Sequence, residues 1–216
     1  MIDVLAGVPL FAGLKRAELA PLAAMTVARS YPRNLIVVNE GDRAETLYFV
    51  LSGRIKVFVA SDDGREMVLS TQGAGTYFGD MMLDDGVRSA SVMTLEPCRL
   101  GALSRDAFRD FLAHHPDTAL ALIKNLIRRT RSMNDRLRDL ALLDVYGRVA
   151  KLLLSLAREV DGRLIIEERL TQQEIGEHIG ASREMVSRIL KDLKAGGYVQ
   201  LERRRIVILR KPPRAW

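Results

Sequence analysis

Arg183, Glu184, Ser187 and Arg188, with Lys191 a turn further on, share the polar side of one amphipathic stretch. Their types suit a polyanion whose surface carries information. An arginine fork can donate two hydrogen bonds to guanine O6 and N7, Glu can accept from cytosine N4, and Lys or a capping Ser can hold a phosphate. Ser182 stands where the cap belongs, and Met185, Val186, Ile189, Leu190 and Leu193 give the other side apolar spacings of three and four. Upstream, Thr171 can cap a helix whose Ile175 and Ile179 face inward, and Gly180 breaks it where a tight turn is needed. A bracing helix followed by one that enters a major groove is a helix-turn-helix. Thr171 and Gln172, at the start of the bracing helix, complete the set expected to face DNA. The plainer alternative is a helical hairpin with a solvated Arg/Glu face. The glycine turn, the two caps and the basic helix start together favour DNA.

A second constellation lies in YFGDMMLDDGVRSASV, residues 77–92. Gly79 permits close backbone approach. Asp80, Met81 and the next two residues can form one helical turn with free N–H groups, and Arg88 and Ser89 lead into a strand. Free amides, an arginine fork and a hydroxyl make a small phosphate cradle, while Asp80 can accept hydrogen bonds from a sugar hydroxyl. The same residues equally allow an Asp80–Arg88 salt bridge that merely braces a turn.

These two groups need scaffolds. Residues 5–25 read as helix in pieces, with Leu14, Leu19 and Leu22 inward. Between Thr26 and Leu103, short runs such as NLIVV, TLYFVLSG, RIKVFVA and EMVLST alternate with turns at Gly41-Asp42, Gly53, Asp63-Gly64 and 73–75. That density of short strands predicts an antiparallel barrel or jelly roll, with Asp62-Asp63-Gly64 as its clearest hairpin. From Pro116 to Leu143 the sequence predicts one long helix. Ala119, Ile123, Leu126, Thr130, Met133, Leu137 and Leu140 alternate spacings of four and three, a heptad seam suited to pairing with a second copy, while Arg128, Arg129, Arg131, Asp135, Arg136 and Asp139 take the outer positions. Asp144 is the expected cap of an amphipathic helix over 145–160, ended by Asp161-Gly162 and followed by the short strand RLIIEE. Gly196-Gly197 closes the second helix of the helix-turn-helix. YVQLE and RIVIL then make a two-stranded wing whose basic tip, Arg203-Arg204-Arg205, suits a phosphate backbone, and RKPPRAW ends the chain as a frayed tail.

Composition agrees. The 216 residues are 48% hydrophobic and 28% charged with a net charge of +6, room for two modest globular domains. From Asp144 onward there are 15 Lys+Arg against 10 Asp+Glu, and before it 18 against 17, so the positive excess sits with the helix-turn-helix. The single cysteine, Cys98, excludes an intramolecular disulfide and any all-cysteine cluster within one chain, and its context, LEPCRLGAL, predicts a buried strand residue. His114 and His115 adjoin Pro116 and His178 sits in the bracing helix. Neighbouring histidines cannot share a helical face, so no metal site is expected. No Ser–His–Asp, Cys–His or metal constellation points to an enzyme, and no catalytic residue is assigned. The first residues lack a basic lead and are broken by Asp3, Gly7 and Pro9, so neither a secretory signal nor a membrane span is expected, and the expected location is cytoplasmic.

GDRAETLYFVLSGRIKVF, FGD with RSASV, ALLDVYGRVAKLLL and LTQQEIGEHIGASREMVSRILKDL together resemble, in order, the signature segments of the cyclic AMP receptor protein (catabolite activator) branch of the Crp/Fnr transcription factors. The resemblance runs nearly end to end. It implies an α+β fold: a cyclic-nucleotide-binding β-roll (double-stranded β-helix or jelly roll) with N-terminal helices over 1–115, a dimerisation helix over 116–143 and a winged helix-turn-helix over 144–216. It implies an allosteric homodimer bound to palindromic double-stranded DNA with half-sites like TGTGA, base edges being read by Arg183, Glu184 and Arg188, and RNA polymerase as a partner. Effector residues would be Gly79, Asp80, Met81, Arg88 and Ser89, with Met133 and Asn134 where the family holds the adenine amino group. Asp80 is one methylene shorter than the family's Glu, and Met133 cannot replace a hydroxyl. Cyclic AMP is thus the first expected effector and a cyclic dinucleotide or another small anion its rival. The oxygen-sensing branch does not fit one cysteine, nor a haem sensor so few axial ligands. A cyclic-nucleotide-binding subunit acting through protein partners would share the β-roll without needing the helix-turn-helix.

Overall fold

The computed structural model describes the chain apart from residues 85, 168, 169, 203, 204 and 214–216. It divides into two compact units, Met1–Val59 with Val68–Thr130 and Ala60–Met67 with Arg131–Trp216.

The first unit begins with α1 (Ile2–Ala6), a 3-10 turn at Pro9–Phe11 and α2 (Arg16–Met25). Eight strands follow: β1 (Val27–Tyr31), β2 (Ile36–Val38), β3 (Thr46–Ser52), β4 (Ile55–Ala60), β5 (Glu66–Gln72), β6 (Tyr77–Phe78), β7 (Ser91–Thr94) and β8 (Cys98–Ser104). They form two four-stranded sheets, ordered β1-β8-β3-β6 and β2-β7-β4-β5. Val50, Phe78, Cys98 and Leu100 of the first sheet and Val38, Ile55 and Val92 of the second share one apolar cluster, so the sheets face each other as a jelly roll. Alternate residues of β3, Leu47 and Phe49, point the other way into a core with Leu5, Leu19, Leu22, Phe108 of α3 (Arg105–His114) and Leu122 of α4 (Pro116–Leu142). With both faces covered, TLYFVLS reads as an almost continuous apolar run. The expected hairpin at Asp62-Asp63-Gly64 is present, closed by Ser61 N–H donating to the Arg65 carbonyl at 2.9 Å. Cys98 is buried, its thiol 3.2 Å from the carbonyls of Arg54 and Glu96, and burial pushes its pKa up.

α4 is a single helix of 27 residues, about 40 Å long. Two residues later Asp144 caps α5 (Val145–Leu156), its carboxylate accepting from Gly147 N–H at 2.7 Å. α5 stops short of the expected end at Val160. Ala157 is extended, and residues 158–160 form β9 (Arg158–Val160), paired with β10 (Arg163–Ile166). Asp161 and Gly162 have φ of 50° and 73°, so this Asp-Gly makes a tight hairpin instead of ending a helix. α6 (Gln172–Ile179), α7 (Arg183–Ala195), β11 (Val199–Leu201) and β12 (Ile206–Ile208) complete the unit. The expected two-stranded wing is therefore half of a four-stranded sheet, ordered β11-β12-β10-β9. Val149 and Leu153 of α5, Ile175 and Ile179 of α6, Val186, Ile189, Leu190 and Leu193 of α7, and Ile166, Val199 and Ile206 of the sheet make its core. Met185 departs from the expected apolar side and is exposed. Of the wing tip and tail, Arg203, Arg204 and residues 214–216 lie outside the described residues, and Arg205 is salt-bridged to Glu202.

Candidate effector site and nucleic-acid interface

β6 pairs with β3 through Tyr48↔Phe78 and Phe49↔Tyr77, then turns at Gly79 into a 3-10 helix, Asp80–Asp84. Gly79 has φ +89°, and a Cβ there would fall 2.6 Å from Arg88 Nη1 and 2.7 Å from the Thr46 carbonyl. Only glycine lets the chain pass. Arg88 is tied in turn to the 41–42 loop, its N–H donating to the Asp42 carbonyl at 2.8 Å and its carbonyl accepting from Gly41 at 2.9 Å.

The Arg88 guanidinium is buried, 5% exposed. It donates through Nη2 to the Thr46 carbonyl at 2.7 Å and through Nη1 to the Gly79 carbonyl at 3.1 Å. It also lies 5.9 Å from the Tyr48 ring, which stacks on Phe78 at 4.9 Å. Burial lowers its pKa, and Tyr48, Asp42 and Asp80 act against that. Its Nε is buried with no hydrogen-bond partner among the described residues. Arg88 is thus a fixed positive pole under the loop, beside the exposed Ser89 and Met81.

Asp80 does not take the alternative partner expected for it. Its carboxylate, 5% exposed, accepts from Nη1 of Arg129 on α4 at 2.7 Å, while that guanidinium is 46% exposed. From spacing alone Arg129 is an outer-position residue of the helix with no partner assigned to it. The signal was there, since a carboxylate beside a glycine turn in an apolar roll needs a cation. Met133 is one helical turn beyond Arg129 by spacing and is exposed, as is Asn134.

In the second unit, Thr171 caps α6 with a complete capping box. Its hydroxyl accepts from Glu174 N–H at 3.1 Å, and the Glu174 carboxylate accepts from Thr171 N–H at 2.7 Å. Gly180 has φ +66°, the left-handed end that turns the chain into α7. Ser182 caps α7 by accepting from Met185 N–H at 3.3 Å. Arg183, Glu184, Arg188 and Lys191 are all exposed, Ser187 and Gln172 half-buried. No ion pair with another described residue occupies those four charges, so their polar face is open to a partner.

Residues 28–115 match the Cyclic nucleotide-binding domain and residues 147–213 the Crp-like helix-turn-helix domain. The chain is 36% identical over 213 residues to the CRP-like cAMP-activated global transcriptional regulator of Mycobacterium tuberculosis, across 96% of this chain and 95% of that one. The chain belongs to the Crp family of transcription regulators. It is also 36% identical over 186 residues to the cAMP-activated global transcriptional regulator CRP of Pasteurella multocida, covering 82% and 88% of the two chains. Among solved structures it resembles the c-di-GMP responsive global regulator CLP of Xanthomonas campestris, with a TM-score of 0.78 at 28% identity over 90% of this chain and 99% of that one.

As a Crp-family member the chain is a DNA-binding transcription regulator with a cyclic nucleotide-binding domain, and not an enzyme. No helix of its described residues is long and apolar enough to cross a membrane. Of the residues singled out in the sequence, Gly79 and Arg88 come into direct contact, Asp80 adjoins them but faces α4, and Ser89 remains exposed. The expected seam residues Ile123, Leu126, Thr130, Met133, Leu137 and Leu140 are all exposed on α4, with Leu137 at 65% and Met133 at 68%. Leu120 and Ile127 are exposed as well and widen the apolar stripe.

Proposed function

We propose that this regulator is a homodimer paired along α4, that it reads a palindromic operator with α7, and that a cyclic nucleotide held in the jelly roll sets its operator affinity. Cyclic AMP is the first reading of the effector. The observation that carries it is the pairing of two opposite poles at one glycine turn: the buried Arg88 guanidinium bonded to Gly79, and the buried Asp80 carboxylate next to it. A cyclic phosphate takes the positive side, with the Gly79 and Met81 backbone and the Ser89 hydroxyl, and a ribose hydroxyl takes the carboxylate. Met133 and Asn134 are the proposed base-reading residues of α4. Asn134 can accept from an exocyclic amino group.

The division into 1–115, 116–143 and 144–216 follows as three tasks: hold the effector, pair the chains, read DNA. Thr171, Gln172 and Ser182 are assigned to phosphates, and Arg183, Glu184, Ser187, Arg188 and Lys191 to the groove. RNA polymerase is a proposed partner.

A cyclic dinucleotide is the second reading, favoured by Met133 in place of a hydroxyl and by the exposed guanidinium side of Arg129. One experiment separates them. Purified protein is titrated calorimetrically with cyclic AMP, cyclic GMP and cyclic di-GMP, then with a palindromic duplex whose half-sites are about 10 base pairs apart. Cyclic AMP binding that changes duplex affinity supports the first reading. Operator affinity unchanged by every nucleotide that binds sinks both, because a ligand shifts an equilibrium only by its preference for one state.

A further inference from the structure

Tyr77 is the polar side chain of this region to which no role has yet fallen. Its ring lies in the apolar core with Phe49, Leu103 and Leu122, and the residue is 7% exposed. Its hydroxyl is buried without a hydrogen-bond partner among the described residues. A phenylalanine would fill the same space without stranding a polar group, so the hydroxyl is a cost in this arrangement.

Charged groups act on that hydroxyl. Burial is the main reason its pKa is pushed up to about 12; Asp80 adds to the rise, and Arg129 and Arg128 oppose it. Asp80 itself is buried and bonded to the half-exposed Arg129. An arginine in that position has two suitors, the carboxylate behind it and any phosphate that arrives in front. If the phosphate wins, the desolvated carboxylate loses its charged donor, and a ribose hydroxyl alone would have to replace it. The Tyr77 hydroxyl is a neutral donor buried without a partner among the described residues, three residues from Asp80 in sequence, on a ring that packs with Leu122 of the same helix that carries Arg129.

We propose that the Tyr77 hydroxyl is the reserve partner of Asp80, donating a hydrogen bond to the carboxylate when Arg129 turns to an anionic phosphate. The handover makes the release of Arg129 affordable. Tyr77 is thus a positioning residue, acting on the effector through Asp80 and Arg129. The ligand half of this inference rests on the proposed effector site, and the exchange of partners at Asp80 does not.

The exchange is tested without ligand by a denaturation cycle on the full chain with Tyr77→Phe, Arg129→Met and the double variant. In the native background Tyr77→Phe leaves the melting midpoint unchanged or raises it, because a stranded hydroxyl is lost. In the Arg129→Met background the same change lowers it by about 2–4 °C, because the reserve donor is then in use. Equal effects in both backgrounds overturn the inference. Should Arg129→Met not purify, Arg129→Gln gives the same reversal of sign, reduced by its own amide. The ligand half is tested with cyclic AMP and cyclic di-GMP. Weakening of about tenfold in Tyr77→Phe, with the native protein binding normally, supports the handover. Equal affinities overturn its ligand half. If neither nucleotide binds the native protein, the proposed effector reading and the ligand half fall together, and the cycle alone decides the Tyr77–Asp80 exchange.

Discussion

Nη1 of Arg129 lies 2.7 Å from a carboxylate oxygen of Asp80, joining α4 to the glycine turn after β6 within the first unit. The pair is asymmetric, with a nearly dry carboxylate and a half-wet guanidinium, so losing the cation costs more than the mean worth of a salt bridge. Arg129→Met is expected to destabilise the protein by about 2 kcal/mol. Adding Asp80→Asn should recover most of that loss, which urea melts of the single and double variants would reveal.

Gly79 has no tolerated substitute. Gly79→Ala places a methyl group 2.6 Å from Arg88 Nη1 and 2.7 Å from the Thr46 carbonyl at φ +89°. The expected loss is about 2 kcal/mol or more. The same variant should bind nucleotide weakly even where it folds, since Arg88 must move. Calorimetric titration beside a thermal melt separates the two effects.

Arg88→Lys tests whether fork geometry matters or charge alone. Arg88 reaches two carbonyls, those of Thr46 and Gly79, with separate nitrogens, and an ammonium cannot span both. The lysine variant should lose nucleotide binding nearly as fully as Arg88→Ala, while duplex binding in the absence of nucleotide stays at the native level. A lysine variant with native nucleotide affinity would refute the cradle.

On α7 the two kinds of contact should part. Arg183→Ala should cost about 1–3 kcal/mol on the specific operator and relax preference at one base pair. Lys191→Ala should weaken binding evenly across sequences and reduce the slope of affinity with salt by about 1. Gel shifts on matched and mismatched duplexes at several salt concentrations read both. Leu137→Glu, on the α4 stripe, should yield a folded monomer in light scattering and lose cooperative binding to the palindrome.

Tyr77 should leave a mark at high pH. Its folded pKa is about 12, above the usual 10 of a free phenol, so the unfolded chain loses this proton first. Its contribution is therefore intact below pH 10 and lost as pH rises towards 12. The loss amounts to roughly 2 kcal/mol across that window. In denaturant melts between pH 9 and about 12, the stability of the native protein should fall more steeply with pH than that of Tyr77→Phe.

Much of this architecture could be read before any coordinates. Thr171, Gly180 and Ser182 announced two short helices because capping chemistry is local, and the capping box and left-handed glycine are where the residue types put them. α4 was legible because a spacing of three and four held from Ala119 to Leu140, about six turns. Asp161-Gly162 misled, since the pair serves equally to end a helix or turn a hairpin, and only the β9–β10 ladder decides between them. The β1 strand, VARSY, was not singled out, its apolar content being too low to mark it. Arg129 could not be assigned from spacing, because its partner lies 49 residues away and the choice between Arg88 and Arg129 depends on how the chain closes in space.

The hidden thiol of Cys98 has a practical consequence. It is the chain's sole sulfhydryl, and covered as it is between two carbonyls it is a poor target for alkylating dyes. A cysteine placed at exposed Gln200 would then be the one attachment point per copy for a spin label. In the proposed dimer, a pulsed-resonance distance between two such labels would show directly whether a bound nucleotide changes the separation of the two α7 helices, with no need to strip the protein of its native sulfur first.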